Sequence, residues 1–186
     1  MRSMTVLKVL VLVVFITAPF GQLFVVAGNV LTTETAVQMS KLDFERFTED
    51  ALHVLWFSRQ AVSELGGPTI TPEHVLIGLL RSSPESVRRF LAPMDSPDAI
   101  VAELASRVRQ RDKVPSDSED VPLASNTDRI LQIALEESGA QPGTRAVTPE
   151  HILLALLVDS NGVAAAILTT HSITERDVRS YLEGRK

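Results

Sequence analysis

The decapeptide Thr71-Pro72-Glu73-His74-Val75-Leu76-Ile77-Gly78-Leu79-Leu80 returns 77 positions later as Thr148-Pro149-Glu150-His151-Ile152-Leu153-Leu154-Ala155-Leu156-Leu157. Seven of the ten positions are identical, and the other three exchange one small or aliphatic residue for another. A match of that length in that register marks an internal duplication. Each copy is also a well-formed helix start. The threonine caps, proline at the first helical position has no amide hydrogen to leave unpaired, and glutamate sits in the positive first turn. The apolar residues that follow fall on more than one side, which predicts a short helix buried deep in a bundle.

With 186 residues, 45% of them hydrophobic, the chain holds one compact domain or two small ones. It has no cysteine, so disulfides and thiol chemistry are excluded. A net charge of −5 speaks against nucleic-acid binding, because the basic run Arg107, Arg109, Arg111 and Lys113 is followed directly by acids. That run reads as a solvated helix end. One Trp and one Tyr make a base-stacking platform a poor fit.

Residues 1–28 form a hydrophobic leader, almost continuously apolar from Val6 to Ala27, with Arg2 ahead of the stretch and Lys8 near its start. Residues 6–27 are long enough to span a bilayer as a helix, although Pro19, Gly21 and Gln22 interrupt them. Three readings stay open: a membrane anchor, a cleaved signal peptide ending near Val25-Val26-Ala27, or upstream sequence ahead of a natural start at Met39. The first two place the downstream domain at or across a membrane, and the third places it in the cytoplasm. Residues 29–43 read as a polar tether.

From Thr48 the helix grammar is regular. Thr48-Glu49-Asp50 opens a helix carrying Ala51, Leu55, Ser58, Val62 and Leu65, which Gly66-Gly67-Pro68 stops. The Thr71 helix follows, and Ser83-Pro84-Glu85 and Ser96-Pro97-Asp98 open a third and a fourth. Residues 111–122 are charged, with two prolines and no apolar period, and read as a linker. The pattern then restarts around Ile130, passes through a loop at Gly139 to Arg145, and continues with the Thr148 helix, Val163 to Leu168, and a last helix opening at Thr174-Glu175. From Val54 to Ile130 the offset is 76, so one residue is inserted in the second repeat's loop. The prediction is an all-α fold of two pseudo-symmetric four-helix repeats, eight helices after an N-terminal hydrophobic leader helix. The domain covers residues 44–184, with repeat one at 47–110 and repeat two at 123–184. Each half alone is small for a stable core.

Phe47-Thr48-Glu49 opening a helix, with Thr71-Pro72-Glu73-His74-Val75-Leu76 placed so that phenylalanine and histidine stand 27 positions apart, resembles the N-terminal Clp repeat domain of Clp unfoldases, of the ClpC and ClpA type. Val121-Pro122-Leu123, Ile130-Leu131, Glu136-Glu137 and Thr148-Pro149-Glu150-His151 are similar to its second repeat. The resemblance implies a module that docks adaptors and substrates for an ATP-driven unfoldase feeding a protease. Its partners would be unfoldase or protease subunits, adaptors and client proteins. The alternative role it implies is an accessory subunit that stabilises a Clp protease complex.

In ClpC-like members the glutamate of each motif holds the guanidinium of a phosphorylated arginine. Carried over by position, these are Glu73 and Glu150, and the assisting threonine of the first site is Thr48. Its second-site counterpart is Ala124, beside Ser125. The family's glycine ahead of the threonine falls on Ile70 and Val147, or else on Thr71 and Thr148, so the rim of each site differs from the family pattern.

The sequence contains no G-x-x-x-x-G-K-[ST] run, so no phosphate-cradling loop with its lysine is written in it. The expectation is a stand-alone docking domain that is not an enzyme, with no catalytic residues and no cofactor. Glu73 and Glu150 are also favourable first-turn residues without any ligand. What favours a site is their duplication together with the resemblance: a carboxylate takes a guanidinium by two parallel bonds. His74 and His151 lack H-E-x-x-H spacing and read as core or helix-start hydrogen-bonding residues rather than metal ligands. His53 and His171 read as lone surface residues.

Overall fold

The computed structural model describes residues 24–26, 29–31, 42–108, 121–139, 146–159 and 161–184. The chain divides into two compact units, residues 1–41 and 42–186. Most of the expected leader helix, residues 1–23 and 27–28, lies outside the described residues. Its described part, Phe24–Val26 (β1), is a strand and not a helix. It pairs antiparallel with Asn29–Leu31 (β2), in the register Phe24 to Leu31, Val25 to Val30 and Val26 to Asn29. Three β-branched valines in this stretch favour extended backbone. The expected linker and the Gly139 to Arg145 loop lie largely outside the described residues.

The second unit starts with a 3-10 turn at Phe44–Arg46 and continues as α-helices. These are α1 (Glu49–Leu65), α2 (Pro72–Ser82), α3 (Pro84–Arg88) and α4 (Pro97–Val108). After the linker come α5 (Ser125–Glu137), α6 (Pro149–Val158), α7 (Val163–Thr170) and α8 (Glu175–Glu183). The caps act as their residues dictate. Thr48 Oγ1 accepts the Ala51 amide at 3.2 Å, and Thr174 Oγ1 accepts the Asp177 amide at 3.3 Å. Gly66 and Gly67 follow α1 with φ of 93° and 123°, a region that costs any side-chain-bearing residue strain.

The duplicated helices are the centre of the bundle. Every residue of α2 from His74 to Leu80 is buried, and so is every residue of α6 from Ile152 to Leu157. α2 packs on α1, α3 and α4, and α6 packs in the same way on α5, α7 and α8. The two halves then meet by exchange: α2 lies against α6 and α7, and α6 against α2 and α3. Among the described residues, no single helix is long and apolar enough to cross a membrane.

Two isolated parallel bridges record the same exchange in the backbone. Phe47, just before α1, bridges to Val147, just before α6. Leu123, just before α5, bridges to Ile70, just before α2. The hydrogen bonds match one for one. Thr48 N donates to Val147 O (2.9 Å) and Val147 N to Arg46 O (2.7 Å). In the other bridge, Ala124 N donates to Ile70 O (3.0 Å) and Ile70 N to Pro122 O (2.9 Å). The second pair repeats the first at the duplication offset, so the repeats are related by a pseudo-dyad.

Candidate functional site

The heads of α2 and α6 carry the two candidate carboxylates, and both heads are built alike. Each has a capping box with histidine in the place usually taken by glutamate or glutamine. His74 Nδ1 accepts the Thr71 amide at 3.2 Å, and His151 Nδ1 accepts the Thr148 amide at 3.1 Å. Both histidines therefore work as helix-start hydrogen-bonding residues. Accepting at Nδ1 leaves the proton on Nε2, and the His74 side chain is fully buried. Burial pushes the His74 imidazole below its ordinary value of 6.5, against the opposing pull of the Glu73 carboxylate and the Gly66 carbonyl. Among the described residues no three His, Cys, Asp or Glu side chains cluster as metal ligands would.

The two glutamates have opposite surroundings. Glu150 is 5% exposed. Its Oε2 accepts the Thr148 hydroxyl at 2.7 Å, and its Oε1 accepts the Ser86 hydroxyl at 3.1 Å. Arg89 Nη2 stands 3.6 Å from Oε1. Burial alone would raise this carboxyl, but the bonds from Thr148, its own amide and Ser86, with the Arg89 charge, outweigh it and hold it below the usual range. Glu73 is only half-buried and has no hydrogen bond or ion pair with any described residue.

The bridges also change which residues are neighbours. Sequence position groups Thr48 with Glu73, because both belong to repeat one. The structure sets Thr48 at the head of α6 instead, where its hydroxyl donates to Val147 O at 3.1 Å while capping α1. Ala124 stands at the head of α2, and the hydroxyl on that side comes from Thr127, one turn later, which donates to Ile70 O at 2.7 Å. Ser125 is exposed at the first position of α5 and makes no hydrogen bond with a described residue. Thus Glu73 and Ser125 both follow the Ile70–Leu123 bridge, and Glu150 and Thr48 both follow the Phe47–Val147 bridge. The duplication identifies equivalent residues, and the pseudo-dyad then places each beside the other repeat's counterpart.

Two further residues were not legible as members of these surroundings. Arg89 follows α3, and its guanidinium lies 4.4 Å over the Tyr181 ring, with Nε donating to Glu85 O at 3.0 Å. His171 is not a lone surface residue, since its side chain is only 15% exposed. Its Nδ1 stands 3.2 Å from Asp95 and its Nε2 3.2 Å from Glu103, tying the end of α7 to repeat one. Partners so far apart in sequence leave no local signal.

Comparison with known proteins agrees with this geometry. The family model of the Clp repeat (R) N-terminal domain matches residues 46–171 and 139–185. Chaperone protein ClpC2, chloroplastic, of Arabidopsis thaliana is 29% identical over 146 residues, covering 76% of this chain and 15% of that protein. The ATP-dependent Clp protease ATP-binding subunit ClpA homolog CD4B, chloroplastic, of Solanum lycopersicum is 30% identical over 144 residues, covering 76% of this chain and 15% of its own length. This chain therefore corresponds to a small part of such relatives. Among solved structures, the N-terminal domain of ClpD from Arabidopsis thaliana superposes with a TM-score of 0.59 at 23% identity, covering 79% of this chain and 98% of that one. The N-terminal domain of the ClpV1 ATPase from E. coli gives 0.57 at 20% identity, covering 74% and 83%.

Proposed function

The chain belongs to the Clp repeat N-terminal domain family, and from that premise we propose that it is a non-catalytic docking module for protein partners of Clp-type machines. Its ligands are adaptor or client segments that present a phosphorylated arginine, and the receiving group is Glu73. The observation that carries this reading is the contrast at the two helix heads. One of two equivalent carboxylates is only half-buried and without a described partner, on a fold shared with much longer relatives, one of them named as an ATP-binding subunit of a Clp protease. A carboxylate accepts two parallel N–H bonds from a guanidinium, and Ser125, an exposed hydroxyl just past the Ile70–Leu123 bridge, suits the phosphate end. The sequence holds neither a phosphate loop nor a hydrolase elbow, which favours binding over chemistry.

The test is capture on the immobilised full chain, with a purified Clp unfoldase ring and a purified protease core offered separately. Retention of the unfoldase, or of phosphoarginine-bearing clients, supports docking. Retention of the protease core alone turns the reading to that of an accessory subunit stabilising the protease. Hydrolysis of ATP or of a peptide by the purified chain overturns both.

A further inference from the structure

Glu150 is surrounded by a built enclosure. Ser86 in α3, Thr148 at the head of α6 and Arg89 just after α3 all direct donors or charge at one carboxylate that is 7% exposed by its side chain. The Arg89 guanidinium does not simply drift over it. Nε is tied to Glu85 O, Nη1 donates to the Tyr181 hydroxyl, the plane lies over the Tyr181 ring, and Nη2 faces Glu150 Oε1. Three elements, α3, α6 and α8, thus hold one guanidinium at the mouth of one buried carboxylate. The arginine side chain itself is 33% exposed, so it forms the outer layer between Glu150 and solvent.

The pseudo-dyad supplies the control. α2 meets α7 as α6 meets α3. At the 77-residue offset of the duplication Ser86 corresponds to Val163 and Arg89 to Ala166. From Val163 to Leu168, α7 carries no side chain able to donate a hydrogen bond. By the pseudo-dyad Glu73 is set against a helix without the serine and without the arginine. The Thr148 bond to Glu150 has no Thr71–Glu73 counterpart, although the two threonine hydroxyls lie alike at 2.9 and 3.0 Å from their histidine Nδ1. The two carboxylates are equivalent by descent and opposite in occupancy.

We infer that Arg89 is a built-in occupant of the repeat-two position, an internal guanidinium that closes Glu150 to arginine-bearing ligands and leaves the domain with one open site at Glu73. This rests on the docking reading above and adds its regulation: displacing Arg89 opens a second site of the same chemistry. Guanidinium exchange on a carboxylate is a competition between like ligands, and the internal one has the advantage of being already positioned.

The experiment is calorimetric titration of the full chain with a peptide carrying a single phosphoarginine. The unaltered protein binds one equivalent, and Glu73→Gln removes it. Arg89→Gln keeps the length of the side chain without its charge and binds two equivalents, and Arg89→Gln with Glu150→Gln returns to one. Tyr181→Phe keeps the ring but loosens the arginine, and binds a second equivalent at higher peptide concentration. It serves as the deciding variant if Arg89→Gln does not fold. One equivalent in the unaltered protein and still one in both Arg89→Gln and Tyr181→Phe overturns the occupant role while leaving the docking reading standing. Two equal sites in the unaltered protein overturn it as well. Binding only after Arg89→Gln supports the occupant role and removes Glu73 from the docking reading. No binding by any variant overturns both.

Discussion

Ser58 Oγ lies 2.4 Å from where a Cβ on Gly78 would stand, and the Val54 carbonyl lies 2.3 Å from the same point. α1 and α2 therefore cross in near backbone contact at Gly78, with Ser58 Oγ turned back onto Val54 O at 2.6 Å. Repeat two makes this crossing with a different pair. Ser58 corresponds to Ala134 and Gly78 to Ala155, both fully buried, so a smaller residue on one helix accompanies a larger one on the other.

Gly78→Ala is therefore expected to destabilise the domain by ~1–3 kcal/mol, the range of overpacking in a close-packed core. Ser58→Ala added to it restores part of the loss, because it removes the hydroxyl but not the Val54 carbonyl. Urea unfolding of the two variants measures both effects. A Gly78→Ala protein as stable as the parent would mean that the helices separate freely.

Leu79 and Leu156 occupy the same place in the two central helices and are 0% and 1% exposed. Truncating either to alanine is expected to cost ~2–5 kcal/mol through lost burial and a residual cavity. Denaturant midpoints on the two single variants check this. A loss below about 1 kcal/mol at both positions would remove α2 and α6 from the centre of the core.

Acid weakens the fold in two separate windows. The His74 imidazole is lowered below 6.5 by burial, so the unfolded chain takes up a proton that the folded chain refuses. Stability thus falls as pH drops below about 6.5, and His74→Gln, which keeps an acceptor for the Thr71 amide, flattens this upper window. Glu150 is lowered below 4.5, because its hydrogen bonds and Arg89 outweigh burial. Its contribution is complete above that value and is lost as pH falls through the folded-state value. Thermal melts across the pH range, with His74→Gln and Glu150→Gln, separate the two windows.

The helices were legible because their starts are chemically explicit: Thr71-Pro72-Glu73, Ser83-Pro84-Glu85, Ser96-Pro97-Asp98 and Thr148-Pro149-Glu150 each combine a cap, a proline and an acid. Equivalence between the repeats was legible from the duplicated decapeptide. Proximity was not. A one-residue parallel bridge such as Phe47 to Val147 leaves no periodic trace in sequence, so sequence position groups Thr48 with the glutamate of its own repeat and gives no sign that its hydroxyl bonds Val147 at the head of α6. His171 was hidden for the same reason, since Asp95 and Glu103 reach it from the other repeat. The strand at Phe24–Val26 lay inside an apolar run whose length dominated the reading, although its valines are as compatible with extended backbone as with a helix.

Glu73 and Glu150 give the sharpest contrast to test. Glu150→Ala leaves the buried Ser86 hydroxyl and the part-buried Thr148 hydroxyl without their acceptor, and the Arg89 guanidinium without its facing charge. Unpaired buried donors cost ~1–3 kcal/mol, so this variant loses stability by about that amount. Glu73→Ala removes a half-buried carboxylate that has no described partner, and stability changes by no more than ~0.5 kcal/mol. For binding of a phosphoarginine peptide the order reverses. Glu73→Ala loses a charge-assisted bidentate contact worth ~1.5–3 kcal/mol, which is tenfold or more in affinity. Glu150→Ala loses little, because that carboxylate is already occupied. Thermal melts and calorimetry on the same two proteins read both axes. Equal binding losses would mean that Arg89 yields its place to the ligand, and equal stability losses would mean that Glu73 is a structural helix-start residue like its counterpart.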